Sequence, residues 1–333
     1  MKKKVLATMM AGCMVLSLAA CSGGGGATQA AATEAATTAA PATTAAGDAA
    51  ETTAEAEKTA EVGAVGFSIS TLNNPFFVSM ADGAEAKAKE LGIDLTVVDA
   101  GNDTAKQTSD IEDLIAKNIK VLIVNPEDSA SVAPIVTDAM AAGIKVIAVD
   151  RYVEGLDVDC FIGTDNVKAG EAAGKYFLEK VGEGAKIAIL EGIPGASSAI
   201  DRNQGFLNAV EGKVDIVASQ TAYYNRAEGL TVTENILQAH PDITGILAAN
   251  DEMGLGALEA VEAAGKVPGK DILVTGFDAG DDARQAVKDG KMLFTVEQQT
   301  TRMGEMAVES ALKMMNGETV EKNIPIDITL IDE

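Results

Sequence analysis

From residue 64 onward the sequence alternates short apolar runs with longer stretches of helical spacing. The runs rich in Val, Ile, Leu and Ala predict strands at residues 64–69, 94–98, 121–124, 145–149, 186–190, 215–219, 245–249 and 272–277. The stretches between them, such as residues 78–91, space their apolar residues as helices do. Strands that are apolar at nearly every position are buried on both faces. The pattern therefore predicts an α/β fold with enough strands for two doubly wound, parallel-sheet domains.

The N-terminus has the organisation of an export signal. Lys2, Lys3 and Lys4 precede an apolar stretch over residues 5–18, which is too short for a permanent membrane span. The following Leu-Ala-Ala-Cys at residues 18–21 resembles a bacterial lipobox, which predicts a signal peptide over residues 1–20 and a lipid-modified Cys21. The alternative is an ordinary secretory signal in which this cysteine is incidental.

Residues 21–61 predict a disordered linker. Between residues 22 and 61 there is no Val, Ile, Leu, Met or aromatic residue, so the segment cannot bury enough apolar surface to offset the entropy of ordering. A flexible coil of this length spans roughly 35 Å. We therefore expect an extracytoplasmic protein, anchored by its lipid to the outer face of the cytoplasmic membrane, or on the periplasmic side in a cell with an outer membrane.

Composition excludes several classes of function. The formal net charge of −24 repels nucleic acid, and loss of a signal peptide with three lysines makes it more negative still. His240 is the single histidine, which excludes most zinc sites, and no metal is expected. The cysteines have neither metal-ligand spacing nor a disulfide framework. Cys160 lies in an apolar run and is predicted to be a small core residue.

Polar residues follow several predicted strands: Ser70, Asn125, Asp150, Asn250 and Asp278. Ligands of open parallel sheets bind outside the carboxyl ends of the strands, so these residues could converge in a cleft. The alternative is that they cap the helices that follow. Arg151, Arg202 and Gln298 add paired or bifunctional groups, which suit sugar hydroxyls that both donate and accept hydrogen bonds.

Five stretches carry a resemblance to a known family: residues 70–79 (STLNNPFFVS), 149–151 (VDR), 196–206 (ASSAIDRNQGF), 249–257 (ANDEMGLGA) and 276–278 (GFD). From about residue 62 onward the chain resembles the ribose-binding members of the type I periplasmic binding proteins, which feed ABC importers. The resemblance implies a D-ribose or similar sugar ligand, no cofactor, an ABC permease as partner and a monomer. A role as a chemoreceptor ligand carrier and a preference for another pentose or hexose stay open.

By the same resemblance, the sugar site comprises Ser70, Asn74, Phe76, Phe77, Asp150, Arg151, Arg202, Tyr224, Asn250, Asp278 and Gln298. The family has Phe where this chain has Tyr224. Phe76 and Phe77 would form an aromatic platform for the apolar face of a sugar ring, presented by a loop that Pro75 fixes. The alternative is that one ring is core and the other incidental. Two aspartates and two arginines sum to zero charge, as a neutral ligand requires.

The family layout implies three crossings between domains, near Thr164, Gln298 and Ile326. The N-terminal lobe would comprise residues 63–164 and 299–326, and the C-terminal lobe residues 165–298 and 327–333. The resemblance also implies that the lobes close on the ligand about a hinge.

Other classes of protein fit less well. The chain has no G-x-x-x-x-G-K-[ST] loop and no G-x-G-x-x-G after a strand. Asp150 and Asp278 could be imagined as a glycosidase pair, but an arginine beside each is expected to lower its pKa and to spoil a general acid. A transcription regulator of the same fold needs a basic helix-turn-helix, where this chain has an export signal. We therefore predict a binding protein and not an enzyme.

Overall fold

The computed structural model of the chain describes residues 64–333. The signal peptide and the linker predicted from the sequence lie outside the described residues, as does the proposed lipidation at Cys21. Between residues 64 and 333 the chain builds two parallel sheets, one small antiparallel ribbon and the helices that cover them. None of the helices in this part of the chain is long and apolar enough to cross a membrane. The predicted α/β fold is confirmed.

The first sheet has six parallel strands. From edge to edge they are β11 (Asn323–Ile326), β5 (Cys160–Thr164), β4 (Lys145–Val149), β3 (Val121–Val124), β1 (Ala64–Ile69) and β2 (Asp94–Asp99). Helices α1 (Pro75–Leu91) and α9 (Thr300–Met315) supply the core on one face, and α2 (Thr104–Ala116) and α3 (Ala133–Ala141) that on the other. Side chains of β3 enter the two cores alternately, because successive strand residues point to opposite faces.

The second sheet has four parallel strands: β7 (Asp215–Thr221), β6 (Lys186–Glu191), β8 (Gly245–Ala248) and β9 (Leu273–Val274). An antiparallel ribbon of β10 (Thr295–Glu297) and β12 (Thr329–Ile331) accompanies it. The helices of this part are α4 (Asn166–Val181), α5 (Ser197–Val210), α6 (Arg226–Ala239), α7 (Asp251–Ala263) and α8 (Asp281–Lys288). Residues from these elements share one continuous apolar core.

Seven of the eight predicted strands agree with the structure to within two residues at either end. The prediction for residues 272–277 is too long, because β9 ends at Val274 and the following backbone turns to the segment of β10. There Gly276 N donates to Phe294 O at 2.8 Å and Asp278 N donates to Val296 O at 2.7 Å. Cys160 is fully buried within β5, as predicted for a core residue.

Candidate ligand-binding site

The carboxyl ends of strands in both sheets and the first turns of the following helices enclose a small cavity. Its empty volume is about 230 Å³, and its walls lie close together. Ten of the eleven residues predicted for the site line it, together with Ser198: Asn74, Phe76, Phe77, Asp150, Arg151, Arg202, Tyr224, Asn250, Asp278 and Gln298.

Ser70 is the one predicted site residue that does not line this cavity. It is fully buried at the end of β1, where its amide donates to Asn125 Oδ1 at 3.2 Å. Asn125 also follows a strand, and its Nδ2 donates to Asp150 Oδ2 at 3.2 Å. Asn125 therefore contacts Asp150, which lines the cavity, whereas Ser70 contacts Asn125, and neither residue lines the cavity itself.

Capping and cavity lining, which the sequence presented as alternatives, occur together at two asparagines. Asn74 caps α1 by accepting a hydrogen bond from Phe76 N at 2.9 Å, and Asn250 caps α7 by accepting one from Met253 N at 2.9 Å. Both also line the cavity, and the Nδ2 of Asn250 is buried and has no hydrogen-bond partner within residues 64–333. A helix cap leaves one end of the amide free for a ligand.

The two adjacent phenylalanines lie in the first turn of α1. Pro75 is the first residue of that helix, so the expectation that it fixes a loop is wrong: its fixed φ suits the helix start, where its missing N–H costs no hydrogen bond. Phe76 and Phe77 pack edge to face with centroids 5.0 Å apart. The guanidinium carbon of Arg151 lies 5.1 Å from the centroid of the Phe77 ring. Both rings thus belong to the cavity wall.

Arg151 is fully buried at the centre of a polar cluster. Its Nη1 donates to Pro126 O at 2.8 Å, and its Nε lies 3.6 Å from Asp150 Oδ2. Glu127 Oε2 lies 3.7 Å from Nη1 and adds a second buried carboxylate that the sequence argument did not include. Burial of a guanidinium is costly unless such partners are present.

Arg202 occupies the opposite part of the cavity on α5. Its Nη2 donates to Asn166 Oδ1 at 2.7 Å, and its guanidinium carbon lies 3.7 Å from the centroid of the Phe277 ring. Gln298 connects it to Asp278: Gln298 Oε1 accepts from Arg202 at 3.5 Å and Gln298 Nε2 donates to Asp278 Oδ1 at 2.7 Å. These bonds fix the orientation of donors and acceptors that face the cavity.

The pKa values of the two site aspartates are raised, whereas the sequence argument expected them to be lowered. Burial raises the pKa of Asp150 above its ordinary value, although Arg151 and Arg202 act to lower it. Burial likewise raises the pKa of Asp278 well above its ordinary value, with Arg202 opposing and Asp251 and Asp150 reinforcing the rise. The prediction of lowered pKa values is wrong, because loss of solvation outweighs the neighbouring arginines.

Tyr224 closes another side of the cavity. Its ring centroid lies 5.9 Å from the guanidinium carbons of both Arg151 and Arg202. Burial raises the pKa of its phenol, which therefore keeps its proton at neutral pH. The phenol oxygen is buried near Ser198, which acts to lower its pKa, but it makes no hydrogen bond of normal geometry with a described residue. A ligand oxygen in the cavity could accept from it.

Three neighbours of the site were not predicted from the sequence: Glu127, Asn166 and Ser198. Ser198 Oγ accepts from Arg151 Nε at 3.3 Å. Ser198 lies four residues before Arg202 on α5, so helical spacing could have placed both on one face. No comparable signal marks Glu127 or Asn166, whose partners are distant in sequence.

No group of three or more metal-ligating side chains occurs among residues 64–333. A closely walled cavity of aromatic rings, amides and paired charges, at the strand ends of two parallel sheets, defines a two-domain protein that binds a small polar molecule in the cleft.

Comparison with known proteins gives the family. The sequence profile described as a periplasmic binding protein domain matches residues 65–319. The ribose import binding protein of Bacillus subtilis is 47% identical over 266 residues, covering 80% of this chain and 86% of that protein. The ribose import binding protein of Salmonella typhimurium is 46% identical over 264 residues, with 79% and 88% covered.

Among solved structures, a periplasmic solute binding protein of an ABC transporter from Actinobacillus succinogenes with bound D-allose matches with a TM-score of 0.75. Its sequence identity is 37%, and the match covers 81% of this chain and 97% of that chain. The chain belongs to the periplasmic binding protein family.

Proposed function

We propose that this chain is the binding component of an ABC sugar importer and that it binds D-ribose in the described cavity. The observation that carries the proposal is the convergence of the eleven lining residues from both sheets on one small cavity. The ribose import binding proteins at 46–47% identity support ribose as the sugar.

The cavity offers what a neutral polyol requires. Arg151 and Arg202 supply fixed donors, Asp150 and Asp278 supply acceptors, and the amides of Asn74, Asn250 and Gln298 supply both. The aromatic rings of Phe76, Phe77 and Tyr224 cover the apolar faces of the sugar and exclude water, which strengthens each buried polar contact.

Residues from both sheets line the cavity, and its walls lie close together. A sugar therefore enters when the lobes open and is held when they close. We propose lobes of residues 63–164 with 299–326 and of residues 165–298 with 327–333. The sheet assignments support this division, because β5 ends at Thr164, β11 ends at Ile326 and the next strands belong elsewhere. The ABC permease then recognises the closed state.

The same chain would act as a monomer, anchored to the membrane through Cys21 and the linker of residues 21–61. Presentation of the sugar-loaded form to a chemoreceptor is a second role for the same closed state. A catalytic role is not proposed, because the relatives named above are import binding proteins and the site carboxyls are engaged by Asn125 and Gln298.

A thermal-shift screen of the purified chain against pentoses, hexoses and nucleosides tests the proposal. A ligand at 100 times its Kd adds about 2.7 kcal/mol to the free energy of unfolding. D-ribose is expected to give the largest shift. Absence of a shift with every sugar would refute the sugar site, and a larger shift with D-allose or another sugar would refute ribose alone.

Asp278→Ala tests the site itself. The substitution removes an acceptor, leaves the Nε2 of the buried Gln298 without its acceptor and takes away a carboxylate that interacts electrostatically with Arg202, so sugar affinity is expected to fall by at least a hundredfold while the chain stays folded. Calorimetric titration measures the affinity and circular dichroism checks the fold. An affinity within threefold of wild type in a folded variant would remove Asp278 from the site.

A further inference from the structure

The segment that carries Asp278 is held in an unusual conformation. Asp278 and Ala279 are consecutive residues with positive φ angles, 122° and 54°. Non-glycine residues in this region cost about 1–3 kcal/mol each unless their surroundings impose the conformation. The side chain of Asp278 faces the cavity because of this turn, so whatever imposes the turn also aims the carboxylate.

Two buried side chains outside the cavity bind the amides of this turn. Asp251 Oδ2 accepts from Gly280 N at 2.7 Å, and Thr295 Oγ1 accepts from Ala279 N at 3.0 Å. The threonine hydroxyl donates in turn to Asp251 Oδ1 at 2.6 Å. Both side chains are at least 96% buried, and neither lines the ligand cavity. They form one connected unit with the turn.

The backbone of Asp251 and the absence of a side chain at Gly276 complete the arrangement. Asp251 N donates to Phe277 O at 2.8 Å. A Cβ atom at Gly276 would lie 2.2 Å from Asp251 Oδ1, so only glycine leaves room for the carboxylate. The contacts of Asp251 therefore span residues 276–280, centred on Asp278.

Helix capping does not explain why the side chain of Asp251 is buried. Its helix, α7, is capped by Asn250, whose side chain accepts from Met253 N. The carboxylate of Asp251 turns away from its own helix to the segment after β9, and burying it is costly: burial raises its pKa to about 6. One oxygen of this buried carboxylate binds the turn directly and the other binds the threonine that holds the same turn, so its role lies in that turn.

We propose that Asp251 and Thr295 form a clamp that positions Asp278 for the ligand. They are positioning residues: they touch neither the cavity nor the sugar, and they act by holding the turn of residues 277–280 in its left-handed conformation. The inference rests on the proposed sugar site, because its readout is sugar affinity.

Thr295→Val is the most direct test, because valine has the shape of threonine without its hydroxyl. Loss of the hydroxyl removes the acceptor of Ala279 N and the donor to Asp251 together. Calorimetric titration with D-ribose is expected to give an affinity at least tenfold below wild type. Thr295→Ser keeps the hydroxyl and is expected to bind within threefold of wild type.

Thr275→Val is the matched control. Thr275 is equally buried, and its Oγ1 also accepts one backbone amide, Ala248 N at 3.0 Å, but that amide belongs to the second sheet and not to the turn. Urea unfolding is expected to show similar losses of stability for Thr275→Val and Thr295→Val. Only Thr295→Val should lose sugar affinity, which a purely structural role would not predict.

Asp251→Asn provides a second route if Thr295→Val does not fold. Its amide nitrogen cannot accept, so at most one of the two hydrogen bonds that the carboxylate accepts, from Gly280 N and from Thr295 Oγ1, remains, and at least a tenfold loss of affinity is again expected. The clamp is refuted by a folded Thr295→Val or Asp251→Asn that binds within threefold of wild type. It is also refuted by an equal loss in Thr275→Val, or by failure of both clamp variants to fold. A wild-type chain that binds no sugar would instead refute the proposed function, and the clamp with it.

Discussion

At the scale of single residues, Tyr224 combines backbone strain with an unused polar atom. Tyr223 and Tyr224 are consecutive residues with φ angles of 53° and 56°. The first is half exposed, whereas the second is buried in the cavity wall. Gly192 makes room for it, since a Cβ atom there would lie 2.2 Å from the Cζ of Tyr224. The backbone is thus arranged to insert this ring.

Replacing Tyr224 separates the role of its ring from that of its hydroxyl. If the ring of Tyr224 makes the main contribution to ribose binding, the affinity of Tyr224→Phe for ribose stays within about tenfold of wild type, or 1.4 kcal/mol, because only one modest hydrogen bond is lost. Tyr224→Ala is expected to cost clearly more, since it removes the aromatic face and admits water. Titration of both variants with ribose and with other pentoses and hexoses measures the difference.

The rival interpretation is that the hydroxyl binds a group that ribose lacks. The buried phenol would then be unpaired with ribose, and removing it would improve ribose binding. A rise of more than tenfold in Tyr224→Phe, with another sugar binding best to wild type, would overturn the ribose assignment and keep the sugar-binding class.

Site residues differ in how far the sequence could reveal them. Residue type and position after a strand indicate Asp150 or Asp278, and the family resemblance adds Phe76 and Phe77. Ser70 carries the same signals as these residues but does not line the cavity. A polar side chain at the end of a strand can point into the cavity or towards a neighbouring residue. Its direction depends on the backbone conformation of that one residue, which sequence patterns do not reveal.

At the scale of elements, the loop before α3 contacts the loop before α5. Ser129 N donates to Gly195 O at 3.0 Å, and Ser197 N donates to Ser129 Oγ at 3.1 Å. Tyr152 N donates to Ser197 Oγ at 3.1 Å. These bonds directly join loops that follow strands of the two sheets, so in the proposed function they would stabilise the closed arrangement of the lobes.

Gly195→Ala is expected to weaken sugar binding by opposing closure. Gly195 has a φ of 89°, and a Cβ atom there would lie 2.0 Å from Asp128 Oδ2. Apparent affinity falls with the fraction of chains that can close, and we expect a loss of at least tenfold. Stopped-flow measurements should show it as faster sugar release.

Gly212→Ala is the control for the backbone. Gly212 has a similar φ of 74° but nothing within 4 Å of its added Cβ atom. Gly212→Ala therefore has the same conformational penalty of about 1–2 kcal/mol as Gly195→Ala, but it leaves the contact between the two loops unchanged. Equal loss of affinity in the two variants would show that Gly195 acts through stability and not through closure.

Strands with long apolar runs could be predicted from the sequence, whereas strands whose apolar runs are short or interrupted were missed. β11 contains Pro325, which usually argues against a strand, but β11 is an edge strand and needs no hydrogen bond from that position on its open side. β10 and β12 have three residues each, too few for a period-two pattern. Their pairing depends on contacts between distant segments.

At the scale of the whole molecule, the lipid anchor is tested by Cys21→Ser. Acylation requires the thiol of Cys21, so the variant is expected to lose its lipid and to be released or misprocessed, whereas Cys13→Ser should change little. Membrane fractionation and the mass of the mature protein measure the outcome. A Cys21→Ser protein that stays in the membrane with an unaltered lipid-bearing mass would refute the lipobox.

Buried carboxyls give the folded chain an unusual response to pH. Burial raises the pKa of Asp251 from 3.8 to about 6, and it raises those of Asp150, Asp278 and Glu127 as well. Carboxyls with a lowered pKa, such as Asp165 and Asp242, are largely exposed and contribute little. The folded state therefore binds protons more tightly than the unfolded chain in mildly acidic solution.

The stability of the chain is accordingly expected to rise as the pH is lowered from 7 to 5. Between the unfolded pKa near 4 and the folded pKa near 6, the native state holds a proton that the unfolded chain has lost, so the free energy of unfolding falls as the pH increases through this window. Asp251 alone contributes on the order of 1 kcal/mol between pH 7 and pH 5. Reduced repulsion in a chain of formal net charge −24 acts in the same direction. Urea unfolding at pH 5, 6, 7 and 8 measures the effect, and Asp251→Asn should show a smaller rise. A wild-type free energy of unfolding that is lower at pH 5 than at pH 7 would contradict the raised pKa values.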